Sequence, residues 1–177
     1  MPGGFRFDIT AGAALLYPLL YFFDESGWFA ALLPGMLLHE LGHWIAVKAL
    51  GGKVTALRLD IAGLCMNIVG VSRRERLAFC AAAGPAAGLL WTAAASHIPS
   101  SWAQKSAAAA LLVNLFNLLP AFPLDGGRIL EGLTGSRRAV RYTSAAVIIT
   151  LLFFTMHFRI TGLLIPAGLL LGELISS

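Results

Sequence analysis

The sequence is poor in charge. Asp, Glu, Lys and Arg together make up 12% of its 177 residues, about half of the ~25% usual for a soluble domain. That leaves too few polar groups to cover a surface in water. With 58% hydrophobic residues and a mean hydropathy of +0.78, the chain reads as an all-α integral membrane protein, a single membrane-embedded domain over residues 1–177. Acidic residues are scarcer still, 9 against 13 basic ones, for a net charge of +4. A basic balance can point to nucleic acid, but here the charges cluster between apolar runs, so the partner they imply is a lipid bilayer and no nucleic acid. Cysteine is nearly absent. Cys65 and Cys80 form no CxxC pair and no metal-ligand spacing, and Cys80, inside an apolar run, reads as a small packed side chain. There is no internal repeat. The opening MPGGFRFDIT leads into a short apolar run without a small-residue cleavage site, so no cleavable signal is expected.

What the sequence has in abundance is apolar runs. Those at residues 9–23, 28–50, 77–98, 102–119, 142–156 and 160–175 predict about six transmembrane helices, the first and fifth short against the ~20 residues a bilayer requires. If the spans alternate, Arg6, Lys48, Lys53, Arg58, Arg73, Arg74, Arg76, Arg128, Arg137, Arg138 and Arg141 share one side, and only Lys105 and Arg159 lie opposite. The positive-inside bias then assigns both termini and both long connections to the cytoplasm. Between spans two and three, residues 54–60 and 65–71 alternate partly around Gly63 and predict a small β-hairpin. Its open edge is intolerable in hydrocarbon, so it belongs at the cytoplasmic interface or under the shelter of the bundle. Small residues at 84–88 and the alanines at 107–110 suit close helix packing in a membrane.

Ionisable residues inside a span are expensive, and are functional candidates by default. GMLLHELGHWIAV, residues 35–47, carries three. His39 and His43 are four apart, so they share one helix face and can present two imidazoles to one ion. Glu40 lies beside them, turned from direct ligation and able to act as general base. That is the mechanical content of HExxH. A catalytic zinc usually needs a third protein ligand and an open position. His97 and His157 fall near the opposite surface and read as interfacial polar residues. Asp24 and Glu25 lie on the wrong side, Glu75 and Glu131 have charged or flexible neighbours, and Asp60 lies in the hairpin. Asp125 remains, in NLFNLLPAFPLDGGRIL, residues 114–130. Pro120 and Pro123 should break the fourth span there, and Gly126 and Gly127 should turn the chain sharply after the aspartate. The other reading of Asp125 is a solvent-exposed turn aspartate.

HExxH in one span, AGPAAG (residues 83–88) in the next and NLFNLLPAFPLDGGR (residues 114–128) in the one after resemble the core of the site-2 protease family. These are intramembrane zinc metalloproteases, peptidase family M50. The resemblance covers about residues 28–130 and is nearest the six-span, sporulation-type bacterial branch that processes a membrane-bound pro-sigma factor, here without the CBS domain many of those relatives carry. It implies a multi-pass bacterial cell-membrane protein with one Zn2+ held by His39, His43 and Asp125. It also implies Glu40 activating water, and Asn114 and Asn117 assisting near the site or contacting substrate backbone. The implied substrate is a transmembrane or membrane-tethered protein cut near its cytoplasmic side, as in regulated intramembrane proteolysis. A regulatory membrane protein or a second copy of the chain would be further partners. The chain departs from the family in one place: Gly88 stands where relatives often carry the asparagine of GPxxN.

The hairpin offers a way to hold an unwound substrate, as a strand added along an exposed edge. Residues 65–71 are the candidate edge, with Asn67, Ile68 and Val69 touching substrate; the alternative is a hairpin that only caps the bundle. Two other functions use the same ligands, a membrane metal carrier and a catalytically silent protein that binds metal or transmembrane partners. Neither employs Glu40 as a base, and no second polar station lies along any span.

Overall fold

The computed structural model describes residues 5–61 and 63–176. In chain order the elements are β1 (Arg6–Ile9), α1 (Ala11–Phe23), α2 (Trp28–Ala49), β2 (Lys53–Asp60), β3 (Gly63–Val69), α3 (Arg74–Ser96), α4 (Ser101–Asn117), α5 (Asp125–Thr134) and α6 (Arg137–Phe158). A single 3-10 turn (Thr161–Leu163) then leads into α7 (Leu164–Ser176). The protein is mostly helical, as expected, and α2, α3 and α6 are long and apolar enough to cross a membrane. Three of the six expected spans thus correspond to helices of sufficient length among the described residues, and the fifth, expected to be short, extends over Arg137–Phe158. The apolar segments Ala11–Phe23 and Thr161–Ile175 are shorter, and the 17 residues of α4 rise only about 26 Å at 1.5 Å per residue. The chain divides into two compact units, residues 1–72 with 83–114, and residues 73–82 with 115–177.

In the first unit the expected hairpin forms, with corrected limits and an added strand. β2 pairs antiparallel with β3, from Lys53 opposite Val69 to Asp60 opposite Gly63, with an irregularity between Val54 and Ala56. The ladder ends at Val69 rather than at residue 71. β1 adds parallel to β2, Arg6 beside Ala56 and Ile9 beside Leu59, so the sheet has three strands in the order β1-β2-β3. A four-residue strand carries too little alternation to announce itself. It exists because β2 offers it an edge, and this takes Ile9 out of the first predicted span. Thr10 then starts α1: its amide donates to Leu59 O over 3.0 Å and its hydroxyl accepts from Ala13 N, a standard N-cap.

α2 packs within this unit through small residues. A side chain at Gly42 would run into the Ala83 carbonyl and Ala87 of α3, and one at Gly35 into Ala110 of α4. Without a hydrophobic drive between helices in lipid, such close backbone approach is the means of association, and Ala107, Ala109 and Ala110 are buried accordingly. Trp91 Nε1 donates to Ser106 Oγ over 3.0 Å, joining α3 to α4.

The entry to α2 is organised by Asp24. Its carboxylate accepts from the Ser26 hydroxyl over 2.6 Å and from the amide of Phe29 in the first turn of α2. The Ser26 bond first, and then the Phe29 amide, hold the Asp24 carboxyl below its ordinary value. A carboxylate with a depressed folded pKa stabilises the fold above the ordinary Asp range, about pH 4, and that stabilisation is lost as pH falls through the depressed value. Asp24→Ala should therefore lower Tm slightly at neutral pH and flatten its fall on acidification below about pH 4, read by thermal unfolding in detergent at a series of pH values. An acid limb as steep as that of the wild type would assign the acid sensitivity elsewhere.

The second unit builds a core of Ala121, Ile148 and Leu170, with Leu124, Val147, Leu151 and Leu174 packed on it. The proline-broken segment after α4 is fastened to α6: Phe122 N donates to Ser144 Oγ over 3.1 Å, and the Thr143 hydroxyl donates to Pro120 O. Each bond satisfies a backbone group that the break in the helix releases. The DGG sequence, expected to form a sharp turn, instead opens a helix. Asp125, Gly126 and Gly127 are the first three residues of α5 and all are buried. The two glycines provide room rather than a bend: a Cβ at Gly126 would overlap the carbonyls of Leu118 and Leu119, and one at Gly127 the carbonyl of Ala121.

Candidate metal centre

His39 and His43, one turn apart on α2, stand with ring centroids 4.7 Å apart and planes at 84°. Their Nε2 atoms converge to 3.0 Å. His39 is only 4% exposed, and His43 and Glu40 are half-buried. Both rings are positioned by helices packed against α2. The His43 ring lies over Gly84 of α3, so closely that a Cβ there would overlap its Nε2 and Cε1. His39 Nδ1 meets Asn114 Oδ1 of α4 at 2.9 Å, and Asn114 is 1% exposed.

Asp125, 8% exposed, is the first residue of α5, where a carboxylate is favoured by the helix dipole. His39, His43 and Asp125 each offer one ligand atom, a group that could hold a metal ion. Two imidazole nitrogens and one carboxylate oxygen form the three-ligand donor set of a zinc centre with an open position, so these residues fit zinc.

Glu40 is the residue next to His39 on α2. Asn117 is the last residue of α4 and half-buried. Asn67, Ile68 and Val69 lie in β3, paired with Ala56, Val54 and Lys53, and Asn67 and Val69 are exposed. His97 and His157 are both exposed; His157 stacks on Phe153 at 5.5 Å and neither belongs to the His/His/Asp group. Cys80 is buried, as expected of a packed side chain, and Cys65 is exposed.

Sequence reasoning missed two residues, Gly84 and Gly88. AGPAAG reads as a helix-packing signal and as part of the family motif, with Gly88 a departure from it, but not as what Gly84 and Gly88 turn out to be, the room for the His43 ring and the Asn114 amide. Their four-residue spacing, which puts them on one face of α3, was the available signal. Gly84→Ala should displace the His43 imidazole and lower zinc affinity about 10–100-fold, the usual penalty for disturbing the support of a metal ligand. Chelator competition on the purified protein checks this; unchanged affinity would show that the ring can shift and still ligate.

Residues 81–158 match the model of peptidase family M50. The chain is 34% identical over 129 residues to a protein named zinc metalloprotease Rip3 of Mycobacterium tuberculosis, covering 65% of this chain and 33% of that protein. It is 32% identical over 122 residues to a protein named zinc metalloprotease sll0528 of Synechocystis, covering 60% and 32%. The chain thus spans about a third of the length of these curated relatives. Its fold is similar to that of a solved site-2 protease from Methanocaldococcus jannaschii, with a TM-score of 0.70 over 92% of this chain and 84% of that one, at 20% identity.

Proposed function

The likeness to the site-2 protease family, peptidase family M50, holds in sequence and in fold, and from it we propose that the protein is an intramembrane zinc metalloprotease. The substrate is a transmembrane or membrane-tethered protein, hydrolysed near the cytoplasmic end of its span. The observation that carries this reading is the His39, His43 and Asp125 group, with Glu40 beside it on an apolar helix of spanning length.

In this reading His39, His43 and Asp125 hold the zinc ion. When bound, zinc draws the pKa of a water ligand towards about 7 and polarises a substrate carbonyl. Glu40 would take a proton from a water at the site as the water oxygen bonds to the substrate carbonyl carbon, and would return a proton to the amide nitrogen as the C–N bond breaks. Asn117 binds substrate backbone near the site, a role transferred from the family motif.

A helical substrate keeps its peptide bonds in its own hydrogen bonds, so it has to be held extended. β3 is an edge strand of the sheet, and an edge offers unpaired N–H and C=O groups to an added strand. Asn67, Ile68 and Val69 are the proposed contacts. Along an antiparallel strand adjacent amides point alternately to the partner and away from it, so of prolines placed singly at Asn67 and Ile68 one removes an outward donor and the other a ladder donor. One of these variants should cut cleavage severalfold with zinc retained; if both keep full activity, edge pairing is not how substrate is held. The distribution of Lys and Arg favours a cytoplasmic position for the sheet and both termini.

The reading is tested by incubating the purified protein with a panel of single-span substrates in lipid vesicles. Product is expected from at least one, should disappear with a zinc chelator and should return on adding zinc. Cleavage that persists after the metal has been stripped would overturn it.

A further inference from the structure

The hydrogen bonds around Asn114 form a chain whose donors and acceptors can be assigned in order. Asn114 Nδ2 meets the Ala110 carbonyl at 2.6 Å, and a carbonyl can only accept, so this end of the amide is the NH2. The other end, Oδ1, therefore faces His39 and accepts from Nδ1–H over 2.9 Å. In neutral imidazole one nitrogen carries the proton and the other a lone pair, so Nε2 of His39 is left with its lone pair directed to the point it shares with His43 Nε2. Gly88 makes the arrangement possible. A Cβ there would overlap Nδ2, Oδ1 and Cγ of Asn114, so the amide occupies space that any side chain on that face of α3 would fill.

We propose that Asn114 is a positioning residue: admitted by Gly88, its amide fixes His39 in the Nδ1–H tautomer and orients the ring so that Nε2 can ligate the ion. This rests on the zinc reading above. It also accounts for the departure of the sequence from GPxxN, because an asparagine at position 88 would compete with Asn114 for one space.

The test measures zinc affinity by chelator competition, with the protonation of the His39 ring read from the 15N-histidine spectrum of the metal-free protein. Asn114→Ala should weaken zinc binding about 10–100-fold and move the His39 ring away from a pure Nδ1–H signature. Asn114→Asp keeps an acceptor and should stay within a few-fold of the wild type, with the Nδ1–H signal retained. Gly88→Ala should mimic Asn114→Ala, and the double variant should be no worse than either, because both remove one contact. Wild-type affinity and an unchanged ring signal in Asn114→Ala would overturn the proposal, as would an Asn114→Asp as impaired as the alanine. If Asn114→Ala does not fold, Asn114→Asp and Gly88→Ala decide by the same readouts. A wild type that binds no zinc would fail the metalloprotease reading instead, and the His39 ring signal would still decide the Asn114 contact.

Discussion

Glu40→Gln is expected to reduce peptide-bond cleavage at least about 100- to 10,000-fold, the span that a positioned general base contributes, while leaving about one zinc per chain. Glutamine has nearly the shape of glutamate and can hydrogen-bond to a water, but cannot take its proton. His39, His43 and Asp125 are untouched, so metal retention should not follow activity. That separation discriminates among the three functions the sequence allows. A metal carrier or a silent binding protein has no use for a base and should behave alike with glutamate or glutamine at this position. Single-turnover cleavage beside metal analysis of both purified proteins decides it. Zinc lost together with activity would mean that Glu40 acts on the ion or the fold rather than on the proton.

The second large effect is expected at the ligands. A structural site of four ligands binds zinc with an apparent ~10–16 kcal/mol, so one ligand carries on the order of 3 kcal/mol, about 100-fold or more in affinity. Asp125→Ala or His43→Ala should therefore lose both zinc and cleavage under conditions where Glu40→Gln loses only cleavage. Asp125→Asn is the more exacting variant, because it keeps the volume in a buried position that is 8% exposed and removes only the charge. A folded Asp125→Asn protein with wild-type zinc affinity would remove Asp125 from the ligand set.

The chemistry of the centre was legible in the sequence because helical periodicity is strict. Two histidines four residues apart in an apolar helix share a face wherever the helix lies, and the cost of ionisable groups in lipid makes their presence there informative. Asp125, the proposed third ligand, could be singled out by setting aside carboxylates at the wrong depth. Its local structure could not. Pro120, Pro123, Gly126 and Gly127 announce a break, but the same residues serve a turn or the tightly packed start of a helix. The nearby Leu118, Leu119 and Ala121 carbonyls and the anchors from Thr143 and Ser144 decided for the helix.

Local sequence by itself determined the spanning length of α2 and α3, the existence of the β2–β3 hairpin and the pairing of His39 with His43 on one helix face, since each follows from composition, period or spacing within one segment. Only tertiary structure decided that β1 joins the sheet, because a strand of four residues exists through its partner's edge. Likewise, only packing assigned Gly84 to the His43 ring and Gly88 to the Asn114 amide. A glycine in a helix carries no local sign of what it makes room for; that depends on which side chain another helix brings to the empty place.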